Sequence, residues 1–164
     1  MTSEIEQMIL DNLEYRDGNL YWRKSYGPIK GGWKAGCVTK TGYRQVKINK
    51  KPIHAHRIVF WLHHGYWPKD KDIDHINRVK NDNRIENLRE CTKSQNQWNI
   101  CDTKNESKYG KGVSWDKSTK RYVARIEVNR KRIYLGWFND PEEARKVAIE
   151  ARKRYHGEWS YEQD

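Results

Sequence analysis

Residues 74–98 read Asp-His-Ile-Asn-Arg-Val-Lys-Asn-Asp-Asn-Arg-Ile-Glu-Asn-Leu-Arg-Glu-Cys-Thr-Lys-Ser-Gln-Asn-Gln-Trp. Within this stretch, residues 92–95 have capping-box spacing, in which a hydroxyl and an amide satisfy free backbone donors at a helix start. Residues 79–84 are rich in Asn and Asp, which predicts a loop between two short extended segments. We therefore expect the order strand, loop, strand, helix, which would bring Asp74 and Asn96 together.

The polar side chains of this stretch are those that phosphodiester hydrolysis requires. The reaction needs a group that removes a proton from water, and positive charge near the scissile phosphate. His75 can be that base, and Asn87 could orient it. Asp74 offers a carboxylate oxygen and Asn96 an amide oxygen, which suit Mg²⁺ and leave positions open for phosphate and water. The whole spaced set predicts a metal-dependent DNA-cutting site, whereas the Asp-His pair alone would be weak support.

This segment resembles the HNH endonucleases, particularly the phage-encoded and intron-encoded homing enzymes with a ββα-metal core. Asn87-Leu88-Arg89 matches the usual Asn-Leu-Arg of that family, and His56-Arg57-Ile58-Val59 matches its His-Arg-hydrophobic segment. Together these cover roughly residues 54 to 98. The resemblance implies general base for His75, support of the base for Asn87, and metal coordination for Asp74 and Asn96.

Two positions differ from the usual pattern of that family. Asn96 replaces a histidine, which gives an H-N-N variant, and an amide oxygen favours Mg²⁺ or, as the second choice, Mn²⁺ over zinc. Arg78 stands where many relatives have glycine, which leaves the geometry of that loop open. Because a degenerate site could keep the fold, a catalytically silent sequence-specific DNA-binding protein, such as a repressor, is the alternative function.

The composition indicates a polyanionic partner. The 164 residues carry a net charge of +11, and clustered Lys and Arg gain affinity by releasing counterions from nucleic acid. A membrane surface is the rival polyanion, but no apolar run approaches the roughly 18 to 20 residues that span a bilayer, and the N-terminus lacks a secretion-signal pattern. Three cysteines without a Cys-x-x-Cys pair argue against a disulfide framework or a cysteine zinc site.

We therefore expect an intracellular protein, neither secreted nor bound to a membrane, whose partner is double-stranded DNA. No obligate protein partner is evident from the sequence. The resemblance to phage enzymes implies a phage-encoded protein that acts in the host cytoplasm.

Residues 1–53 carry short aromatic segments punctuated by glycine, which predict strands and turns, with residues 49–51 as a hairpin loop. Residues 55–64 predict a helix that ends at Gly65. Four histidines lie at or near this helix. We interpret them as residues of a basic, partly buried helix, with His56 in the core, rather than as a second metal site.

We interpret residues 1–98 as the nuclease domain, the polar residues 99–110 as a linker, and residues 111–164 as a second domain. In the second domain, alternation along residues 121–128 and again after an Asn-Arg turn predicts a hairpin with one apolar and one basic face. Residues 140–157 then predict a helix with an aspartate cap, a proline in the first turn and a closing glycine. Its apolar stripe is formed by Ala144, Val147, Ala148, Ala151 and Tyr155.

The expected fold class is thus α+β. It combines an N-terminal ββα-metal nuclease unit with short flanking strands and a C-terminal three-stranded antiparallel sheet packed on one helix. The C-terminal part resembles the Apetala-2 type domain of plant ethylene-response factors, which also occurs fused to phage HNH nucleases. The matching residues, within about 109 to 158, are Gly112-Val113, Ala124-Arg125-Ile126, Tyr134 to Phe138 and Glu142-Glu143-Ala144.

In that family the sheet enters the major groove, where Arg can read guanine and an aromatic ring can pack on sugar or bases. Carried over by position, the DNA-binding candidates are Lys111, Ser114, Arg125, Glu127, Arg132 and Tyr134. Ser114 and Arg125 differ in type from the plant domains, so the recognised sequence is not inherited.

Charge supports this role independently, because residues 108–156 hold 14 Lys or Arg against 6 Asp or Glu. A solvated basic face is the simpler alternative. RNA binding is a third alternative, with weaker support because Tyr134 is the one stacking aromatic that the alternation exposes. The pattern as a whole favours a site-recognising DNA endonuclease of the homing type.

Overall fold

The computed structural model describes residues 3–99 and 108–160, and the chain divides into two compact units, Met1–Cys91 and Thr92–Asp164. In the described residues both units combine helices with small antiparallel sheets, which confirms the α+β class. None of the helices in these residues is long and apolar enough to cross a membrane. The predicted linker falls mostly on residues 100–107, outside the described residues.

The first unit is built from two α-helices, one short 3₁₀-helix (Ile85–Asn87) and seven short strands, counted over residues 3–91. Their bounds are α1 Glu4–Asn12, β1 Leu13–Arg16, β2 Asn19–Trp22, β3 Cys37–Val38, β4 Arg44–Ile48, β5 Lys51–His54, α2 Ala55–His64, β6 Asp72–His75 and β7 Leu88–Cys91. The strands pair as β1-β2, β3-β4-β5 and β6-β7, all antiparallel. Ile9, Leu20, Val46 and Ile58 lie at the centre of one apolar core beneath these sheets.

The helix predicted at residues 55–64 is confirmed as α2. Gly65 ends it with a φ of 75°, in the left-handed region that glycine adopts without strain. His56 is buried, as predicted. The predicted hairpin between β4 and β5 is also present, with φ of 48° at Asn49 and 62° at Lys50, as expected of the two-residue turn that matches the twist of the strands.

The β6-β7 hairpin contains residues 74–91, the larger part of the segment 74–98 that resembles the HNH endonucleases. Its register sets Asp74 opposite Arg89. Helix α3, Lys93–Asn99, follows and begins with the predicted capping box. The Thr92 N–H donates to Gln95 Oε1 at 2.8 Å, and the Gln95 N–H donates to Thr92 Oγ1 at 3.2 Å. The predicted order of strand, loop, strand and helix is confirmed.

The second unit contains α3, three strands and a long helix, counted over its described residues. The further bounds are β8 Val113–Asp116, β9 Arg121–Val128, β10 Lys131–Phe138 and α4 Pro141–His156. The strand order is β8-β9-β10, antiparallel throughout, and α4 packs on one face, which confirms the predicted sheet-and-helix module. The Asp140 carboxylate caps α4 by accepting from the Glu142 and Glu143 N–H groups, both at 3.3 Å.

The inner face of α4 differs from the predicted stripe at its C-terminal end. Ala144, Ala148 and Ala151 are buried, whereas Tyr155 is exposed and His156 is buried in its place. From Ala144 the buried positions advance in steps of four residues through Ala148 and Arg152 to His156, with Ala151 beside them, so the stripe passes 152 and 156 rather than 155. Both of these polar side chains are partnered: Arg152 Nη1 donates to the Lys111 carbonyl at 2.6 Å, and His156 Nε2 donates to the Glu127 carbonyl at 3.1 Å.

Helix α3 packs within the second unit. The Trp98 and His156 rings are stacked, with centroids 4.2 Å apart and planes inclined by 4°. The first residue of the second compact unit is Thr92, whereas the predicted nuclease domain ran to residue 98. That predicted boundary stays a prediction.

A β-bulge interrupts the alternation in β10. Tyr134 pairs with Arg125 and Gly136 with Ala124, so Leu135 is the extra residue. Gly136 has a φ of 146°. Because a bulge shifts the side-chain alternation by one residue, Trp137 points away from α4, as Tyr134 does. Regular alternation would have turned Trp137 toward α4 instead.

Gly112, just before β8, provides a test of how closely the backbone there approaches the Arg125 backbone of β9. A Cβ at Gly112, where φ is +85°, would lie 2.6 Å from the Arg125 carbonyl oxygen; at Gly110, where φ is +95°, the nearest atom is 3.6 Å away, on the Arg145 side chain. We expect Gly112→Ala to lower the local unfolding free energy by about 2–4 kcal/mol, from strain plus a backbone clash. Gly110→Ala, the matched control, should cost about 1–2 kcal/mol from strain alone.

Amide hydrogen exchange of β9 peptides in the full-length variants measures this difference. Equal loss of protection in the two variants would contradict the close approach of the two backbones.

Candidate functional site

Asp74 and His75 are consecutive residues at the end of β6, and they are only 7% and 4% exposed. Successive strand residues point to opposite faces, so their side chains meet different neighbours. Arg89, opposite Asp74 on β7, donates from Nε to Asp74 Oδ2 at 3.1 Å. Both partners are largely shielded from water. This ion pair fixes the orientation of the carboxylate.

His75 is bonded to a residue of the following loop. Its Nε2 lies 3.0 Å from the Oδ1 of Asn83, which is itself 1% exposed. Burial lowers the pKa of His75, and the hydrogen bond to Asn83 and the charge of Asp74 offset part of that effect. A lowered pKa keeps the imidazole neutral at neutral pH, the state in which it can accept a proton.

Asn87 holds the loop that carries Asn83. Its Nδ2 donates to Asn77 Oδ1 at 2.9 Å and to the Asp82 carbonyl at 2.8 Å, and its Oδ1 accepts from the Asn77 N–H at 2.9 Å. The role of Asn87 as support of the base stays a prediction. These contacts provide a physical route for it, because Asn87 fixes the loop, and Asn83 in that loop bonds His75.

The backbone conformation of this loop bears on position 78, where this chain has arginine instead of glycine. Arg78 has a φ of +65°, and its N–H donates to the His75 carbonyl at 2.9 Å. A left-handed residue in this position is cheapest as glycine, which fits the glycine that many HNH enzymes have there. The turn forms with arginine nonetheless.

Two rings lie against His75, and a third is stacked on one of them. The His56 ring meets it edge to face, with centroids 5.0 Å apart, and Tyr43 lies 6.0 Å away. His54 stacks on His56 at 5.1 Å. Burial lowers the pKa of His56 to about 3 and also lowers that of His54. The candidate base therefore lies among uncharged rings rather than beside another imidazolium.

The two predicted metal ligands lie in different units: Asp74 in the first, and Asn96 on α3 in the second. Among residues 3–99 and 108–160, no group of three or more His, Cys, Asp or Glu side chains is arranged to hold a metal ion. One carboxylate and one amide are a donor set that fits a hard, partly hydrated cation. Such an ion would share the Asp74 carboxylate with Arg89. The assignment of Asp74 and Asn96 as metal ligands stays a prediction.

Five of the six DNA-binding candidates share one surface. In the register of the sheet, Arg125 lies opposite Tyr134 and Glu127 opposite Arg132. Their alternation with residues of the core turns all of them away from α4. Ser114 joins them because its neighbour Val113 is a core residue. We call this surface the exposed sheet face; its residues are Ser114, Val123, Arg125, Glu127, Arg132, Tyr134 and Trp137.

The sixth candidate, Lys111, lies before β8 and lines a cleft of about 460 Å³ between α3 and the sheet-helix module, which Arg125, Glu127 and Arg132 of the exposed sheet face also border. The cations around this cleft are Lys93, Lys111, Arg125, Arg130, Arg132 and Arg152, and Glu127 is its one carboxylate. Such an excess of positive charge suits a phosphate backbone.

Four residues that the sequence interpretation did not single out contribute to these sites. Asn83 was one of several asparagines in a loop, and nothing in its spacing marked it as the partner of His75. Arg89 was noted as part of a motif, and its pairing with Asp74 follows only from the β6-β7 register. Tyr43 is distant in sequence. Trp137 could have been found, because a glycine inside a strand signals a bulge.

Comparison with known families agrees with this geometry. Residues 54–98 match the family model described as HNH endonuclease, and residues 110–158 match the model described as AP2 domain. No curated protein and no solved structure matches the chain. Both resemblances seen in the sequence are confirmed, at nearly the same residues. The chain therefore carries an HNH endonuclease domain followed by an AP2 DNA-binding domain, the two parts of a DNA-binding nuclease.

Proposed function

We propose that this protein is a site-recognising, divalent-metal-dependent endonuclease of the homing type, which hydrolyses phosphodiester bonds in double-stranded DNA. The observation that carries the proposal is His75, a buried imidazole with a lowered pKa, fixed by Asn83 and placed next to Asp74. It lies inside the residues that match the HNH endonuclease model, on a chain that also has a basic AP2 domain.

The bond to Asn83 determines which nitrogen of His75 is the base. Because the Asn83 Oδ1 accepts from Nε2–H, the lone pair of the neutral ring is on Nδ1. In the proposed reaction Nδ1 removes a proton from water, whose oxygen attacks phosphorus. The P–O bond to the 3′ oxygen breaks, which leaves a 5′ phosphate.

Asp74 and Asn96 are the proposed ligands of the divalent ion, with Mg²⁺ as the first choice and Mn²⁺ as the second. When bound, such an ion supplies positive charge for the scissile phosphate and the leaving oxygen. Arg89 contributes by holding the Asp74 carboxylate in one orientation.

The exposed sheet face is the proposed reader of the target. Its guanidinium groups can bond guanine edges, and Glu127 can accept from the amino group of cytosine. The cleft cations that lie outside the exposed sheet face, Lys93, Lys111, Arg130 and Arg152, would hold phosphates without reading sequence. Because the cutter is tethered to this reader, it needs little affinity of its own for DNA.

A catalytically silent DNA-binding protein is the second candidate, and one contact favours it. Asp74, the only carboxylate of the proposed ligand set, already forms a buried ion pair with Arg89. If that pair satisfies the carboxylate permanently, the chain would bind DNA without cutting it. In that case Asp74→Ala would leave every DNA-dependent property unchanged, whereas the nuclease proposal requires it to remove metal-dependent cleavage.

The first prediction concerns the tautomer of His75. We expect Asn83→Ala to release the fixed Nε2–H form, because the acceptor is lost, and Asn83→Asp to retain it. The ¹⁵N chemical shifts of His75 in histidine-labelled protein report the tautomer. Asn81→Ala, an exposed loop variant whose amide bonds Arg44 instead, is the control. An unchanged His75 signal in Asn83→Ala would contradict the proposed orientation of the base.

The second prediction concerns cleavage. Supercoiled plasmid carrying phage-derived sequence should be nicked or linearised by the wild type in Mg²⁺ or Mn²⁺, and not in EDTA. His75→Ala should lower the rate by about 10²- to 10⁴-fold, the usual contribution of a general base, yet bind DNA normally. His64→Ala, at the exposed end of α2, should cut like the wild type.

Cleavage by His75→Ala at the wild-type rate would show that His75 is not the general base. Binding without cleavage by the wild type, on DNA shown to contain the bound site, would favour the silent binding protein.

The third prediction separates sequence reading from phosphate binding. Arg125→Ala should lower affinity by about 5- to 150-fold and relax selection at one base pair. Lys117→Ala, a nearby exposed cation, should weaken binding evenly across sequences and reduce the salt slope by about one unit. Selection from random duplex pools, followed by titration at several salt concentrations, distinguishes the two. Even weakening by both variants would contradict a reading role for Arg125.

A further inference from the structure

The bulge in β10 gives the exposed sheet face an aromatic pair that alternation would not have produced. We propose that Trp137 and Tyr134 read the 5-methyl group of a thymine that adjoins a base contacted by Arg125. The inference rests on the proposed function, because it requires the sheet to lie in the major groove of duplex DNA.

The pair forms an apolar area within a polar surface. Tyr134 is 56% and Trp137 51% exposed, and their rings are parallel within 5°, with centroids 6.2 Å apart. Val123 lies opposite Trp137 in the sheet and is buried although it points away from α4. A groove of about 500 Å³ runs along this area, with Trp115 and Lys117 on its border.

The core of the module does not explain this exposure. Phe138 and Leu135, the neighbours of the pair in β10, already pack against the buried alanines of α4. Two large rings that stay half exposed on a strand favour a partner that covers them. The bulge is what turns Trp137 toward such a partner, since regular alternation would have turned it toward α4.

The charges around the pair select the class of partner. Arg121, Arg125 and Arg132 lie on the same side of the sheet as the rings, by their register. Two carboxylates, Asp116 and Glu127, lie on that side as well, and Asp116 accepts hydrogen bonds from the Ser118 N–H and hydroxyl within its own turn. A cationic rim around an apolar centre complements a polyanion that presents an apolar group.

Duplex DNA presents such a group in one place. The 5-methyl group of thymine is the apolar feature of the base-pair edges in the major groove, and apolar side chains recognise it. Arg125 lies opposite Tyr134 in the register, and residues opposite one another in an antiparallel pair have Cβ atoms about 5 Å apart, which compares with the rise of about 3.4 Å between base pairs. The expected preference is therefore a thymine adjacent to a guanine.

The test uses the full-length protein in EDTA and two random duplex pools, one synthesised with thymine and one with uracil, which lacks only the methyl group. The wild type should select a site with thymine at a fixed position beside guanine. Uracil at that position should weaken binding about three- to fivefold per methyl group, the usual gain from burying one. Trp137→Ala should bind the thymine and uracil forms of the site equally.

Three variants make the result specific. Trp137→Thr keeps a strand-favouring residue, so the same loss of discrimination there excludes a folding defect. Tyr155→Ala removes an exposed aromatic of α4 and should behave like the wild type in both pools. Arg125→Ala should lose the guanine preference and keep the thymine preference.

The outcomes separate this inference from the function on which it rests. A selected site whose thymine and uracil forms bind equally, with guanine selection intact, would overturn the aromatic role and leave sequence reading in place. No selected duplex at all would overturn both. Tighter binding to single-stranded pools would also overturn it, in favour of rings that stack on unpaired bases.

Discussion

The 3.0 Å hydrogen bond between His75 and Asn83 joins the candidate base to a loop that has almost no regular structure of its own. A buried polar group without a partner costs about 1–3 kcal/mol, so the loop folds in the way that partners its own asparagines. Asn87 closes the loop by bonding both Asn77 and the backbone of Asp82. The conformation of this small site is thus determined by a connected network of polar hydrogen bonds, and the apolar core only supports it from below.

The second unit solves a different problem, because its helix α4 contributes mostly alanines to the core. The buried contacts of α4 with the sheet are made largely by alanines, which allow a close approach and bury little apolar area. Two polar residues continue the inner face of the helix, and each bonds a backbone carbonyl. Three large rings of the unit lie outside this core: Trp98 stacks on His156, and Trp137 and Tyr134 lie on the exposed sheet face.

Local signals explain what the sequence could predict. Helix α2, the capping box at Thr92 and the turn at Asn129 each depend on residues within a few positions of one another, and all are present in the structure. Helical and strand periods placed the core of α4 to within its last turn, where a four-residue step replaced Tyr155 by His156.

What could not be predicted depends on register or on long-range contact. Arg89 meets Asp74 because of the pairing of β6 with β7, and a sequence does not specify which residues of two strands are opposite one another. Tyr43 reaches His75 across 32 positions of sequence. Among the asparagines of the loop, it is the folded conformation that makes Asn83 the partner of His75. The bulge could be predicted in part: Gly136 indicated that one is present, but the sequence did not fix its position, which determines the face on which Trp137 lies.

Helix α3 belongs to the matched HNH segment by sequence and to the second compact unit by its contacts. It lies within the residues that match the HNH endonuclease model and carries Asn96, yet its contacts belong to the second unit. Trp98 depends on His156 for its stacking partner, and the Gln97 carbonyl accepts from Lys111 at 3.5 Å. A chain cut at residue 99 would leave both groups without these contacts. The segment that contains Asn96 is therefore stabilised by the second unit, so the proposed cleavage and DNA binding are best measured on the whole chain.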